Sequence, residues 1–155
     1  MKKFYATEER ILSLRFHAGE MVDTPFAHNA MVPGAGVDCV HVNAWAYLKS
    51  GFLKSFNPPR YALDSGLHAR ESQLLAWFYG HREFLSLEDG QPLLSKVLCG
   101  DSICFNLGLS EHHVGLMLDD KKFVHVLPHR RVIVSSLEER YYARRITAVY
   151  RPIEH

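Results

Sequence analysis

The sequence predicts an α+β fold in a single domain, and three observations predict it. The first half of the chain carries helical patterns that begin at capping residues, whereas the second half carries short apolar runs with the period of strands. Helices followed by a series of strands are typical of α+β proteins with an antiparallel sheet. A length of 155 residues suits one domain with a sizeable core, so we assign residues 1–155 to one domain.

The first half contains three predicted helices. Thr7 is suited to cap a helix that begins at Glu8, because acidic residues occupy its first turn. A second helix is predicted from residue 38 to residue 48 or 49, and Gly51 ends it. A third is predicted over residues 69–78.

Residues 17–36, between the first two helices, form a predicted long loop. Glycine, proline and asparagine interrupt any regular pattern there. Loops of more than about a dozen residues in compact domains are usually functional or mobile. We therefore expect this loop to form one wall of a cleft.

The second half of the chain changes to the alternation of β-strands. A short helix over residues 137–140, capped by Ser135 or Ser136, interrupts the series. The predicted strands are residues 102–107, 112–118, 123–127, 131–134 and 146–151.

Charge and apolar patterning exclude two classes of partner. The net charge is +1, from 18 basic and 17 acidic side chains, so we expect neither nucleic acid nor an anionic membrane as the main partner. No apolar run reaches membrane-spanning length, and the N-terminus lacks the pattern of a secretory signal. We expect either a cytoplasmic protein or one assembled into a virion-like particle that acts on the cell wall.

The cysteines and histidines do not form a metal or disulfide pattern. Cys39, Cys99 and Cys104 are odd in number and widely separated, so reduced thiols are expected. The chain has ten histidines, but their spacing from the cysteines does not match a zinc module. We predict no metal site and no cofactor.

Cys39 is the candidate nucleophile. A loop rich in glycine and proline over residues 33–36 runs directly into the second helix, and Cys39 lies at the junction. Unpaired N–H groups and the helix dipole stabilise a thiolate at that end of a helix. The alternative interpretation is a small buried side chain at a helix start.

A predicted hairpin carries two candidate histidines. His113, Gly115 and Met117 share one face of their strand, and His125 joins that face if it lies opposite Gly115. This register requires an odd-length turn or a bulge. If the same face also packs against the start of the Cys39 helix, a thiol, a base and an orienting group meet. Each histidine alone could equally be a surface strand residue.

Six short segments, taken in their order along the chain, resemble those of a known family. The chain resembles the NlpC-type papain-like cysteine peptidases, which are cell-wall endopeptidases, in the form carried by tailed phages and gene-transfer-agent particles. The segments that carry the resemblance are residues 24–26, 32–39, 100–105, 113–116, 122–125 and 145–152.

The resemblance implies a papain-like core in which the nucleophile stands at a helix start packed on the sheet. It implies that Cys39 is the nucleophile, His113 the general base and acid, and His125 the group that orients it. The implied reaction is hydrolysis of peptidoglycan stem peptides, typically after γ-D-glutamyl next to a diamino acid, with phage-like tail proteins as partners. Asp38 would shape the substrate subsite, and the N–H of Cys39 would contribute to an oxyanion hole.

The sequence departs from the family pattern near the expected substrate site. Val40 and His41 stand where the family has a small residue and glycine, and Phe26 replaces a common tyrosine. We expect Phe26 and His41 to contact substrate. His41 could also compete with His113 for the thiol, although on a helix its side chain points about 200° away from that of Cys39. Residues 20–23 resemble an insertion. These departures keep two alternatives open: a catalytically impaired structural or peptidoglycan-binding tail component, and a papain-like amidase or acyltransferase with another substrate.

Overall fold

The computed structural model describes residues 7–56, 84–87, 97–107 and 113–152. The predicted helix over residues 69–78 lies outside them. The helices are α1 (Glu8–Glu20), α2 (Cys39–Ser50) and α3 (Arg140–Ala143). The strands are β1 (Met31–Val32), β2 (Gly36–Val37), β3 (Phe84–Leu87), β4 (Ser102–Phe105), β5 (His113–Met117), β6 (Lys122–His125), β7 (Ile133–Ser136) and β8 (Ile146–Pro152).

Capping residues define both long helices, at the cap Thr7 and the helix end Gly51 that the sequence predicts and at Asp38, which was predicted as the first helical residue and is the N-cap instead. The Thr7 hydroxyl accepts a hydrogen bond from the N–H of Arg10 at 3.2 Å, and Asp38 caps α2 in the same way. Gly51 ends α2 at a φ of 81°, a left-handed conformation that glycine adopts without strain. The predictions for α1 and α2 are therefore confirmed.

An antiparallel six-stranded sheet with the order β3-β8-β4-β5-β6-β7 forms the other half of the fold. All five predicted strands are present with slightly shifted ends. Strand β3, which pairs with β8 at the edge, was not predicted. The loop predicted over residues 17–36 begins too early, because α1 continues to Glu20, and it contains most of the two-stranded ribbon of β1 and β2, which ends at Val37. The α+β prediction is confirmed.

The short helix near the C-terminus begins later than predicted. Helix α3 starts at Arg140, and its N-cap residue Glu139 makes no side-chain capping bond. The Ser136 hydroxyl instead accepts a hydrogen bond from the N–H of Glu138 at 3.1 Å and closes a turn ahead of the helix. The Ser135 hydroxyl lies against the sheet, at hydrogen-bond distance from His125. Neither serine caps α3, so that prediction was wrong.

Each face of the sheet packs a separate apolar cluster. Val114 and Leu116 belong to the cluster that includes buried residues of α1 and α2. Phe105 and Phe123 belong to a second cluster with Tyr142 of α3. Among the described residues, no helix combines the length and apolar character needed to cross a membrane.

Candidate active site

Cys39 is the first residue of α2, and a buried hydrogen-bond network holds this turn on the sheet. The thiol residue is 2% exposed. The side-chain amide of Asn43 donates to the Cys39 carbonyl at 3.0 Å, and the Ser102 hydroxyl of β4 donates to the Asn43 side-chain carbonyl at 2.8 Å. Tyr47 donates to the Gly100 carbonyl at 2.6 Å. Polar side chains from the first three turns of α2 thus join this helix to β4 and to the residues just before it.

Backbone pairing places the start of α2 at one end of the sheet. Residues 24–27 form hydrogen bonds with residues 130–132 on one side and with Val37 on the other, with N···O distances of 2.9–3.1 Å. Val37 precedes Cys39 by two residues, and residues 130–132 follow the end of β6. Cys39 is therefore held near the end of the sheet at which β6 ends and β5 begins.

The turn between β5 and β6 gives the register that the two histidines require. The N–H of Leu118 donates to the Lys122 carbonyl at 2.8 Å, so residues 119–121 form a loop of odd length. Leu116 pairs with Val124 and Met117 pairs with Phe123. Extending this register by one residue places Gly115 opposite His125. The predicted geometric condition for His113 and His125 is therefore met.

His113, His125 and Ser135 form a continuous line of polar side chains. His113 Nε2 lies 2.7 Å from His125 Nδ1, and His125 Nε2 lies 2.8 Å from the Ser135 hydroxyl. All three residues are buried. From the sequence, Ser135 was predicted only as a possible helix cap. Its position in β7, two residues from the partner of His125 and on the same face, was the signal that could have identified it.

Aromatic rings surround His113 and His125, and this burial keeps both imidazoles uncharged. The Phe105 ring centroid lies 6.0 Å from that of His113, while Phe123 and Tyr142 lie 4.7 and 5.3 Å from His125. Burial, and next the charge of His125, hold the pKa of His113 well below its usual value. Burial alone lowers the pKa of His125 to about 4. Both imidazoles are neutral near pH 7, as a general base must be before it accepts a proton.

The face of β5 that meets the helices differs from our expectation. Val114 and Leu116 lie in the cluster with α1 and α2, whereas His113 shares the opposite face with Phe105. Side-chain alternation along β5 causes this separation. The structure brings the two imidazoles together and holds Cys39 near the same end of the sheet. The pairing of the thiol with His113 stays a prediction.

Asp38 and His41 form a second buried pair beside the thiol. One Asp38 oxygen accepts the N–H of His41 at 2.9 Å and lies 2.7 Å from His41 Nδ1, while the other accepts the N–H of Asn29 at 2.9 Å. The His41 ring stands edge-on to Phe56 at 5.0 Å. Asp38 therefore organises the loop and the helix start through both oxygens. His41 Nδ1 is engaged by Asp38, which leaves only Nε2 as a possible competitor for the thiol.

A groove with a volume of about 320 Å³ lies beside His125. It carries two guanidinium groups, and Arg131 Nη1 donates to the Asp23 carbonyl at 2.9 Å. Phe26 is half-buried. It lies near the groove because its N–H donates to the Arg130 carbonyl at 2.9 Å. The groove is lined by His125, Leu127, Arg130, Arg131 and Ile133. Within the part of the chain that the structure describes, no cluster of His, Cys, Asp or Glu is suited to hold a metal ion.

Comparison with solved structures gives the same fold. One similar structure is a Staphylococcus aureus protein described as similar to a lipoprotein of the NLP/P60 family, with a TM-score of 0.62 and 21% identity. The alignment covers 99% of this chain and 44% of that protein, so this chain spans less than half of its length. Another is the NlpC/p60 domain of the peptidoglycan hydrolase SagA, with a TM-score of 0.53 and 17% identity, covering 90% of this chain and 97% of that one.

Comparison with sequences identifies the family. No curated protein sequence matches this chain at the significance we required. The model of the NlpC/P60 family matches residues 23–151, a range that includes Cys39, His113 and His125. Because this match extends over most of the chain, and the fold agrees with it, the chain belongs to the NlpC/P60 family.

Proposed function

We propose that this protein is a cysteine endopeptidase that hydrolyses amide bonds of peptidoglycan stem peptides. Family membership supports a cell-wall peptidase, and one structural neighbour is a domain of a peptidoglycan hydrolase. The observation that carries the proposal is the 2.7 Å contact of His113 Nε2 with His125 Nδ1. This contact engages Nε2 of His113 and leaves Nδ1 as the nitrogen that we propose for the thiol of Cys39.

The chemistry follows from these roles. His113 Nδ1 takes the proton of the Cys39 thiol as the sulfur attacks the amide carbon and the C–S bond forms. His113 then gives this proton to the leaving nitrogen, the C–N bond breaks, and a thioester remains. A water loses a proton to His113 as it attacks the thioester, the C–S bond breaks, and the proton returns to the thiolate. His125 orients His113 throughout.

The groove beside His125 suits the charge of the proposed substrate. A γ-glutamyl linkage leaves the α-carboxylate of glutamate free, and Arg130 and Arg131 both line the groove. Phe26 is joined to the same segment by its backbone. We assign these three residues to substrate binding, with Asp38 holding the adjacent loop and the N–H of Cys39 contributing to the oxyanion hole.

The proposed setting is a phage-like tail component that opens the cell wall. The order of the family-like segments in the sequence supports a tail-associated role. The partners that we propose are a stem peptide and tail proteins, and neither nucleic acid nor a membrane. The proposed location is a virion-like particle that acts on the cell wall, or the cytoplasm.

One observation favours a second function, a catalytically impaired wall-binding protein. The buried ring of His41, paired with Asp38 and packed on Phe56, fills space in the first turn of α2 where the family has glycine. Such filling would narrow the approach to the thiol. A papain-like amidase or acyltransferase with a different substrate is the third candidate.

Hydrolysis of purified stem peptides tests the proposal. We expect the wild type and Cys99→Ala to release the two product peptides, and Cys39→Ala and His113→Ala to lose nearly all turnover. A Cys39→Ala variant that still cleaves would refute the assignment. A wild type that binds peptidoglycan without cleaving it would support the second function, and cleavage of other amides alone would support the third.

A further inference from the structure

We propose that Ser135 is a positioning residue that stabilises the tautomer of His125 required for catalysis. This inference rests on the proposed roles of Cys39, His113 and His125. Its observation is the contact of 2.8 Å between the Ser135 hydroxyl and His125 Nε2, the nitrogen on the side of the ring away from His113.

Proton positions along the line explain why His125 Nε2 needs a hydrogen-bond acceptor. If His113 accepts the thiol proton at Nδ1, its neutral ring carries a hydrogen on Nε2, which then donates to His125 Nδ1. His125 must accept at Nδ1 and therefore carries its own hydrogen on Nε2. Ser135 accepts that hydrogen. The wrong tautomer of His125 would place a hydrogen at Nδ1 and oppose the hydrogen of His113 Nε2.

The surroundings of His125 make Ser135 the residue suited to this role. The ring packs against Phe123 and Tyr142, and its direct cross-strand neighbour is Ile133, whose side chain has no polar atom. Ser135 is the diagonal neighbour on β7 and is 9% exposed. A buried imidazole N–H requires an acceptor, and the Ser135 hydroxyl is at hydrogen-bond distance.

Three variants test the inference in the full chain: Ser135→Ala, Ser135→Thr, and Ser136→Ala as the matched control on the neighbouring, half-buried serine. We expect Ser135→Ala to lower kcat on stem peptide by about 10- to 100-fold with little change in KM, because the substrate site is untouched. Ser135→Thr keeps the hydroxyl and should recover most of the lost kcat. Ser136→Ala should behave as the wild type.

The ¹⁵N NMR spectrum of histidine-labelled protein gives a readout that a structural role would not change. We expect His125 to carry its hydrogen on Nε2 in the wild type, and Ser135→Ala to shift the population towards Nδ1. A wild type with the hydrogen on Nδ1 would overturn the inference, as would an Ser135→Ala variant with an unchanged tautomer. The NMR spectrum tests the role of Ser135 even if stem peptides prove not to be the substrate.

Discussion

Acid should destabilise this protein through His125, and the structure gives the size of the effect. Burial lowers the pKa of His125 from 6.5 to about 4, so the unfolded chain binds a proton at higher pH than the folded chain. The contribution is therefore complete above pH 6.5 and is lost as the pH falls towards 4. Between pH 7 and pH 4.5 this single group should remove about 2.5 kcal/mol from the free energy of unfolding.

His125→Asn provides the comparison, because asparagine keeps a hydrogen-bond acceptor for His113 but does not titrate. Urea unfolding of both proteins at pH 7 and pH 4.5 measures the loss in each. We expect the wild type to lose about 2.5 kcal/mol more than the variant over this interval. The raised pKa of the buried Asp101 acts in the opposite direction but is common to both proteins. Equal losses in the two proteins would refute the reasoning.

Three further predictions concern packing and substrate. Gly115→Ala should destabilise the fold by about 1–3 kcal/mol in urea unfolding, because the new Cβ would lie 2.7 Å from the Phe123 ring; an unchanged midpoint would contradict this. His41→Gly should increase stem-peptide turnover by opening the cleft, at a cost of about 2–4 kcal/mol in stability because the buried ring and its bond to Asp38 are lost; lower turnover would assign His41 a positive role. Arg131→Gln should raise KM for a peptide with free carboxylates but not for its amidated form, with Arg140→Gln as the control; equal effects on both peptides would exclude a carboxylate contact.

Local chemistry explains what the sequence could predict. Thr7, Asp38 and Gly51 define the helix ends because each acts within a few residues of itself. The register of His113 and His125 depends on one short turn, so the condition for their contact could be stated before the structure. The papain-like fold followed from the resemblance to the NlpC-type peptidases, and the family match confirms the family.

Contacts between distant segments explain what it could not predict. The bond between Ser102 and Asn43 joins β4 to α2, and neither residue carries a local signal for the other. Ser135 resembles a helix cap in sequence, yet the sheet turns its hydroxyl towards His125. The face of β5 that meets α2 was likewise undetermined, because β5 is buried on both faces and its apolar pattern does not distinguish them.

Alkylation of the three thiols tests the central claim, that the thiol of Cys39 is coupled to the imidazole of His113. Burial raises the pKa of the Cys99 thiol, and Cys104 lies within β4, away from a helix start, so both are slow references. Cys39 is at least as buried as Cys104, so faster modification of Cys39 must come from its place at the start of α2 and from an imidazole. We predict that iodoacetamide modifies Cys39 faster than Cys99 and Cys104 near neutral pH, and that His113→Asn removes this difference. Equally slow modification of all three cysteines in the wild type, or a Cys39 rate that His113→Asn leaves unchanged, would contradict the account.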